Sequence, residues 1–365
     1  MDKILLGDLC LPASKNIKLA STDLIDYVDI SSVDNQAKFI TGYTTYEYQD
    51  APSRARKSVS IGDVIISTVR PNLNAVAVFD ITTPNTPVVS TGFCVLSCRD
   101  DVNPRYVYYA CQSREFIRQL VSQATGASYP AVNDKIIRNA LIPNYTLSSQ
   151  NFICDQLDSV QNLINIKKKE NKIFNETIKA RFVELFGDPI TNTKKLETKS
   201  LKDVLMLKAG DFTAASDIAD EPNEVNKYPC YGGNGIRGYV AEYNQEGDYS
   251  LIGRQGALSG NVQYATGQFK NTEHALLVTP TKKMNSIWLN QLLINLDLKR
   301  YQTGAAQPGL SVKNLQEIQI ITVPIDEQNS YAEFVKQVDK SKSVNDRIID
   351  RLQRTKASLM QEYFG

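Results

Sequence analysis

The hydrophobic pattern changes period twice along the chain. Up to about residue 148, short apolar runs alternate with turn residues. Residues 59–70 place β-branched side chains around Gly62-Asp63, and residues 75–79 and 88–96 add further runs, all of which predict strands. Residues 106–121 read as one helix, with Tyr109, Phe116, Ile117 and Leu120 on a single face, and residues 126–130 break it. From Ser149 the apolar positions step by four and three: Ile153, Leu157, Val160 and Ile164, then Phe174, Ile178 and Leu185. The same frame returns as Tyr331, Val335 and Val338, then Ile349, Leu352, Leu359 and Tyr363. Lys167 and Asn171 interrupt the first stripe, and Lys342, Asn345 and Lys356 the second. A helix of about 37 residues is roughly 55 Å long. A stripe so narrow is not buried by a lone helix in water, so the two long helices are expected to pair as an antiparallel coiled coil, with the polar interruptions fixing register.

The return of the frame belongs to a larger duplication. Thr125-Gly126-Ala127, Pro130 and Lys135 recur 178 residues later as Thr303-Gly304-Ala305, Pro308 and Lys313. Gln150-Asn151 recurs as Gln328-Asn329, and Glu184, Phe186 and Gly187 recur as Glu362, Phe364 and Gly365. Repetition at one offset predicts two copies of one unit, each a globular segment followed by a long helix. The expected fold class is α+β: two globular domains alternating with two long helices, with a pseudo-twofold internal repeat. The expected boundaries are 1–148 for the first domain, 149–187 for its helix, 196–326 for the second domain and 327–365 for its helix. Gly187-Asp188-Pro189 supplies the stop for the first helix.

Composition narrows the chemistry. Hydrophobic residues at 42% and charged residues at 22% describe a globular protein, and a net charge of +1 leaves nucleic-acid binding to local clusters or to partners. The start lacks a signal-peptide pattern and no window resembles a membrane span, so a cytoplasmic location without a membrane partner is expected. Six scattered cysteines read as thiols of a reducing compartment. His274 is the only histidine, which removes histidine-based metal clusters; a structural role beside Asn271 is expected for it. Cys94 and Cys98 lack a second ligand pair, and no phosphate-binding loop or adenine-methyltransferase motif is present. No catalytic residue, metal site or bound cofactor is expected on this chain.

Nucleic-acid recognition has better material. Arg54, Arg56 and Lys57 cluster just before the Gly62 turn, and Arg70, Asn72 and Asn74 occupy the turn after the following strand. In the second copy, Tyr231, Asn234 and Arg237 lie in one glycine-rich loop, and Arg254, Gln255, Ser259 and Asn261 in another. Arginine can grip guanine with two hydrogen bonds, and asparagine or glutamine adenine. Lys135 and Lys313 follow the duplicated Thr-Gly-Ala segments, which either touch phosphates or only turn the chain from helix to strand. Lys167 to Lys169 form either a solvated helix face or a contact to phosphate or a partner.

The order of these blocks resembles the specificity subunit of type I restriction-modification systems. Residues 228–239 resemble that family's opening target-domain motif, and Gly253-Arg254-Gln255-Gly256, Gly260-Asn261-Val262 and residues 271–275 its next block. Residues 59–71 and 89–93 resemble the corresponding blocks of another class of the same domain. The resemblance implies two target-recognition domains reading unlike halves of a split DNA sequence, with the helices as a ruler between half-sites. It implies double-stranded DNA, two methyltransferase subunits and motor-endonuclease subunits as partners. S-adenosylmethionine, ATP and Mg2+ would then belong to those partners, and this chain would be non-catalytic. Two alternatives are a related system with a fused nuclease-methyltransferase partner and a non-catalytic coiled-coil adaptor for proteins. At 365 residues the chain is shorter than many such subunits.

Overall fold

A computed structural model describes residues 2–13, 16–256, 258–303 and 309–365. Gly304, Ala305 and Pro308 of the second Thr-Gly-Ala-x-x-Pro segment, and Ala257 of the loop after Arg254, lie outside the described residues. The chain divides into two compact units, one of residues 1–167 with 348–365, the other of residues 168–347.

Two sheets of three or more strands lie in unit 1. Strands Thr44–Glu47, Leu24–Val28, Thr86–Ser90 and Ala55–Ser58 form a four-stranded sheet in that order. Strands Phe93–Leu96, Val64–Ser67 and Val76–Val78 form a three-stranded antiparallel one. Every residue of Val64–Ser67 and Phe93–Leu96 is buried, which explains their unbroken apolar runs in place of alternation. Strand Lys3–Leu5 pairs with Leu141–Pro143, so the start of the chain is tied to the segment that leads into the first long helix. Residues 106–121 form two helices instead of the one expected: Pro104–Ala110 and Arg114–Gln123. The Ser113 hydroxyl accepts the Phe116 N–H, and this cap starts a second helix inside the apolar frame.

Unit 2 repeats the plan with longer strands. Leu205–Ala209, Ala275–Pro280, Tyr249–Gly253 and Val262–Ala265 form one antiparallel sheet, and Gly235–Val240, Tyr228–Gly232, Gln268–Asn271 and Gln245–Glu246 a mixed one, in which Tyr228–Gly232 and Gln268–Asn271 run parallel. Strand Thr198–Ser200 pairs with Gln319–Ile321, the counterpart of the pairing that closes unit 1.

The long helices are Leu147–Phe186 and Ile325–Phe364. Within each unit they pack antiparallel. In unit 2 the Tyr331 hydroxyl donates to the Ile178 carbonyl at 3.1 Å, and Asn345 Nδ2 reaches Asn171 Oδ1 at 3.2 Å and the Glu170 carboxylate at 2.9 Å. Asn171 in turn donates to Asp346 at 2.7 Å. In unit 1 Lys356 Nζ donates to Gln161 Oε1 at 2.6 Å and lies over the Tyr109 ring. Asn171, Asn345 and Lys356 thus meet polar partners across the seam, as register-fixing residues would. Lys342 instead pairs with Asp339 on its own helix at 3.5 Å.

Each Phe-Gly helix end is an anchor. Phe186 is buried among Phe182, Trp288 and Tyr331 in unit 2, and Phe364 stands 5.4 Å from Tyr106 in the core of unit 1. Gly187 has φ +74, the left-handed turn that ends the first helix, where an added Cβ would lie 2.5 Å from Thr193 Oγ1. The repeated glutamines explain themselves locally. Gln150 accepts the Asn103 N–H and donates to the Tyr145 carbonyl, while Gln328 does the same with Asn285 and Val323. Asn151 and Asn329 accept from those same asparagines. Each pair ties the entry of a long helix to the cap of a domain helix.

Candidate nucleic-acid interface

A loop leaving the end of a paired strand is positioned by the sheet and by whatever flanks it. In unit 1 the loop follows Val64–Ser67. Thr68 N–H donates to Gly92 O, while Val132 N–H donates to Thr68 O and Arg70 N–H to Pro130 O. In unit 2 the loop follows Tyr249–Gly253. Arg254 N–H donates to His274 O, and Leu310 N–H donates to Arg254 O. Val69 bridges Ala131, and Gln255 bridges Gly309, the residue 178 positions after Ala131. The two units therefore clamp an equivalent loop in the same way, between a neighbouring strand and the duplicated segment. Thr125 also bridges Ala131, and Thr303 bridges Gly309, so the same pair of positions is joined in each duplicated segment next to the loop. Gly126 has φ +100, and an added Cβ would lie 2.8 Å from Tyr129 O.

The unit 1 loop carries Arg70, Asn72 and Asn74. Arg70 is exposed with φ +50, and its guanidinium lies 4.7 Å from the centre of the Tyr129 ring. Asn72 is exposed. Asn74 is buried, also left-handed, and committed at both ends of its amide: Nδ2 to Cys111 O at 2.8 Å and Oδ1 to Lys38 Nζ at 3.0 Å. Burial lowers the Lys38 ammonium to about 8. Arg54 is exposed and its carbonyl accepts the Thr91 N–H. Arg56 is half-buried over Tyr48 and donates to the Pro52 and Ala55 carbonyls. Lys57 is internal: its ammonium reaches Asp134 at 2.7 Å and Phe93 O at 2.6 Å. Lys135 is exposed on the short helix Asp134–Arg138, and Lys313 on its counterpart Val312–Gln316.

Unit 2 brings three loops together. The turn at Gly233-Asn234 of the Tyr228–Gly232 hairpin lies against Gly253, where an added Cβ would sit 2.2 Å from Gly233 O. Asn261 Nδ2 donates to Asn234 Oδ1 at 2.9 Å, which joins that turn to the loop after Gly253. Gln255 is exposed, and its Oε1 lies 2.9 Å from His274 Nδ1; His274 Nε2 lies 3.1 Å from Glu273 Oε1. The expected neighbour Asn271 instead donates to Ala275 O. His274 thus belongs to the loop cluster, a role that its being a lone histidine did not signal. Arg237 is exposed and Arg254 half-buried. Tyr231 packs on Phe269, and burial raises its phenol. Ser259 is fully buried and its carbonyl accepts from Gln302. Tyr129 was likewise missed, although it lies within the duplicated segment.

No group of acidic, histidine or cysteine side chains suited to a metal occurs among the described residues. Among them, no helix is long and apolar enough to cross a membrane.

A family model described as type I restriction modification DNA specificity domain matches residues 193–354. The chain is 32% identical over 255 residues to the type I restriction enzyme EcoprrI specificity subunit of Escherichia coli, a match covering 67% of this chain and 63% of that one. It is 23% identical over 292 residues to the MjaVIII specificity subunit of Methanocaldococcus jannaschii, covering 70% and 68% of the two chains. Two solved structures share the fold. One, from work on assembly and conformational transition of the type I R-M system, has a TM-score of 0.59 at 24% identity over 99% of this chain and 97% of that one. The other, the type I restriction-modification S subunit from M. genitalium, has a TM-score of 0.58 at 16% identity over 100% and 96%. The matched domain and the relatives named for it lead to one conclusion: residues 193–354 match the type I restriction modification DNA specificity domain, and the chain, whose match spans 63% of the Escherichia coli relative's length, is similar to type I restriction enzyme specificity subunits.

Proposed function

We propose that this chain is the DNA sequence-specificity subunit of a type I restriction-modification complex. The supporting observation is the loop clamp built in both units at the duplicated segment. In each, backbone hydrogen bonds from a neighbouring turn and from the duplicated segment hold a polar loop at the end of a strand. In unit 1 the exposed Arg54, Arg70, Asn72 and Lys135 face the duplex, with Asn74 and Lys57 as internal supports. In unit 2 Asn234, Arg237, Arg254, Gln255 and Asn261 do so, with Lys313 at the phosphates, while Tyr231 and Ser259 shape the loops beneath. Lysines and arginines at phosphates set position, and amides and arginines at base edges set sequence. Unlike loops in the two units would read unlike half-sites.

The long helices would set the spacing of the half-sites and dock two methyltransferase subunits, with motor-endonuclease subunits joining them. S-adenosylmethionine, ATP and Mg2+ would bind those partners, which flip and methylate the adenine. The net charge of +1 suits a reader whose partners supply part of the phosphate grip. The test is co-expression with its methyltransferase followed by mapping of methylated adenines in genomic DNA. One split, asymmetric motif with an adenine modified in each half is expected. An active, stable complex that yields no such motif would replace this reading with that of a protein adaptor.

A further inference from the structure

Five cysteines of unit 1, Cys10, Cys94, Cys98, Cys111 and Cys154, belong to or pack against one core, and two of them are placed differently from the others. Cys10 ends the short turn Leu6–Leu9, and Cys98 follows the strand Phe93–Leu96. They face each other as an isolated antiparallel bridge. The flanking hydrogen bonds, Leu11 N–H to Ser97 O at 2.8 Å and Arg99 N–H to Leu9 O at 3.1 Å, lie on either side of the pair. Cys10 and Cys98 are therefore a non-hydrogen-bonded pair, the kind whose Cα atoms stand about 4.5 Å apart with side chains close on one face. That separation lies inside the range of about 4.4–6.8 Å that a disulfide spans. Cys98 is half-buried, giving the pair a route to solvent, while Cys94 and Cys111 are fully enclosed.

The charges around the pair favour reaction at Cys10. Its thiol is lowered first by its neighbour Cys98 and further by Arg138 and Arg99, against burial and Asp63. Arg138 gives its terminal nitrogens to the Leu11 and Val95 carbonyls and to no carboxylate among the described residues, so its positive charge remains to support a thiolate. Burial drives the other three thiols the opposite way, Cys94 and Cys154 to about 12 and Cys111 well above its usual value.

We propose that Cys10 and Cys98 form a dithiol oxidation site, at which a peroxide converts the pair into a cross-strand disulfide. The Cys10 thiolate attacks one peroxide oxygen, the O–O bond breaks, and the departing hydroxide takes a proton to leave as water. Cys98 sulfur then attacks the sulfenic sulfur of Cys10 and loses its proton, and a second water leaves. Two thiols and one hydrogen peroxide thus yield one disulfide and two waters; sulfur is oxidised and peroxide oxygen reduced. A dithiol such as dithiothreitol reverses the bond by exchange. The link closes a loop of about 90 residues, which limits the unfolded chain and raises the thermal midpoint of the oxidised protein.

The experiment treats the folded full-length chain with hydrogen peroxide, blocks free thiols and maps peptides without reduction. The expected product is a Cys10–Cys98 linked peptide that is lost on dithiothreitol treatment, absent from Cys98→Ser and retained in Cys230→Ser. The proposal is overturned if the native wild-type chain keeps both thiols free under excess peroxide. It is equally overturned if Cys98 alone proceeds to sulfinic acid, or if Cys98 links to Cys111 instead. The wild-type result decides without any variant, so misfolding of Cys98→Ser does not blunt the test.

Discussion

Replacing Phe186 by alanine tests how the first long helix is anchored in unit 2. Phe186 is 1% exposed, with ring centres of Phe182, Tyr331 and Trp288 at 5.1, 5.6 and 6.1 Å. Such a ring has no room to be replaced by sliding neighbours, because those neighbours are themselves rings seated at fixed edge-to-face angles. Burying a phenylalanine contributes about 1.5–3 kcal/mol by transfer, and the unfilled cavity brings the cost of truncation to about 3–5 kcal/mol. Unit 2 comprises about 180 residues. At roughly 2.1 cal/mol/K per residue its unfolding entropy is about 0.4 kcal/mol/K, so a loss of 4 kcal/mol lowers its midpoint by about 10 °C. Trp288 is the only tryptophan in the chain and lies in this cluster, so its fluorescence reports unit 2 directly. The assay is a fluorescence melt of the full chain, with Val183→Ala, an exposed position on the same helix, as control. A shift below about 2 °C for Phe186→Ala, or an equal shift for Val183→Ala, would refute the anchoring.

Further outcomes follow from charged and polar contacts. Between about pH 8 and 10.5 the unfolded chain holds a proton on Lys38 that the folded chain releases, so stability rises with pH across that window; Lys38→Met should flatten the rise in urea titrations, and an unchanged slope would contradict it. Asp134→Ala leaves the Lys57 ammonium with only the Phe93 carbonyl, at a cost of about 1–3 kcal/mol after allowance for partial exposure. Lys57→Met should cost less than Asp134→Ala by chemical denaturation, and the reverse order would count against an internal role for Lys57. Asn345→Leu removes the polar link to Asn171 and Glu170; its melting midpoint should change by less than about 1 kcal/mol equivalent while sedimentation detects association. A strongly destabilised monomer would show that the seam needs the asparagine for stability.

The heptad stripes and the duplicated blocks made the long helices and the α+β class legible, because burial repeats every three or four residues along both helices. Local chemistry overrode periodicity at Ser113, whose cap divides one apolar frame into two helices. Long-range partners were not legible. Lys57 finds Asp134 across 77 residues, and nothing in the Arg-Ala-Arg-Lys run distinguishes it from its exposed neighbour Arg54. Asn74 looked like Asn72 in sequence, yet its left-handed backbone turns its amide inward to Cys111 and Lys38. The duplicated Thr-Gly-Ala segments were open between phosphate contact and simple turn. Their bridges to Val69 and Gln255 make them the clamps of the candidate loops, a role that depends on strands distant in sequence.

The most direct measurement compares methylated-adenine maps from wild type and Gln255→Ala, each co-expressed with its methyltransferase. Gln255 is exposed at the clamped loop of unit 2, and loss of a paired base contact costs about 1–3 kcal/mol of discrimination. One half of the split motif should become degenerate at one position, with the other half and the spacer unchanged. Uniform weakening across both halves, or an unaltered motif, would contradict the claim that each unit reads its own half-site through these loops.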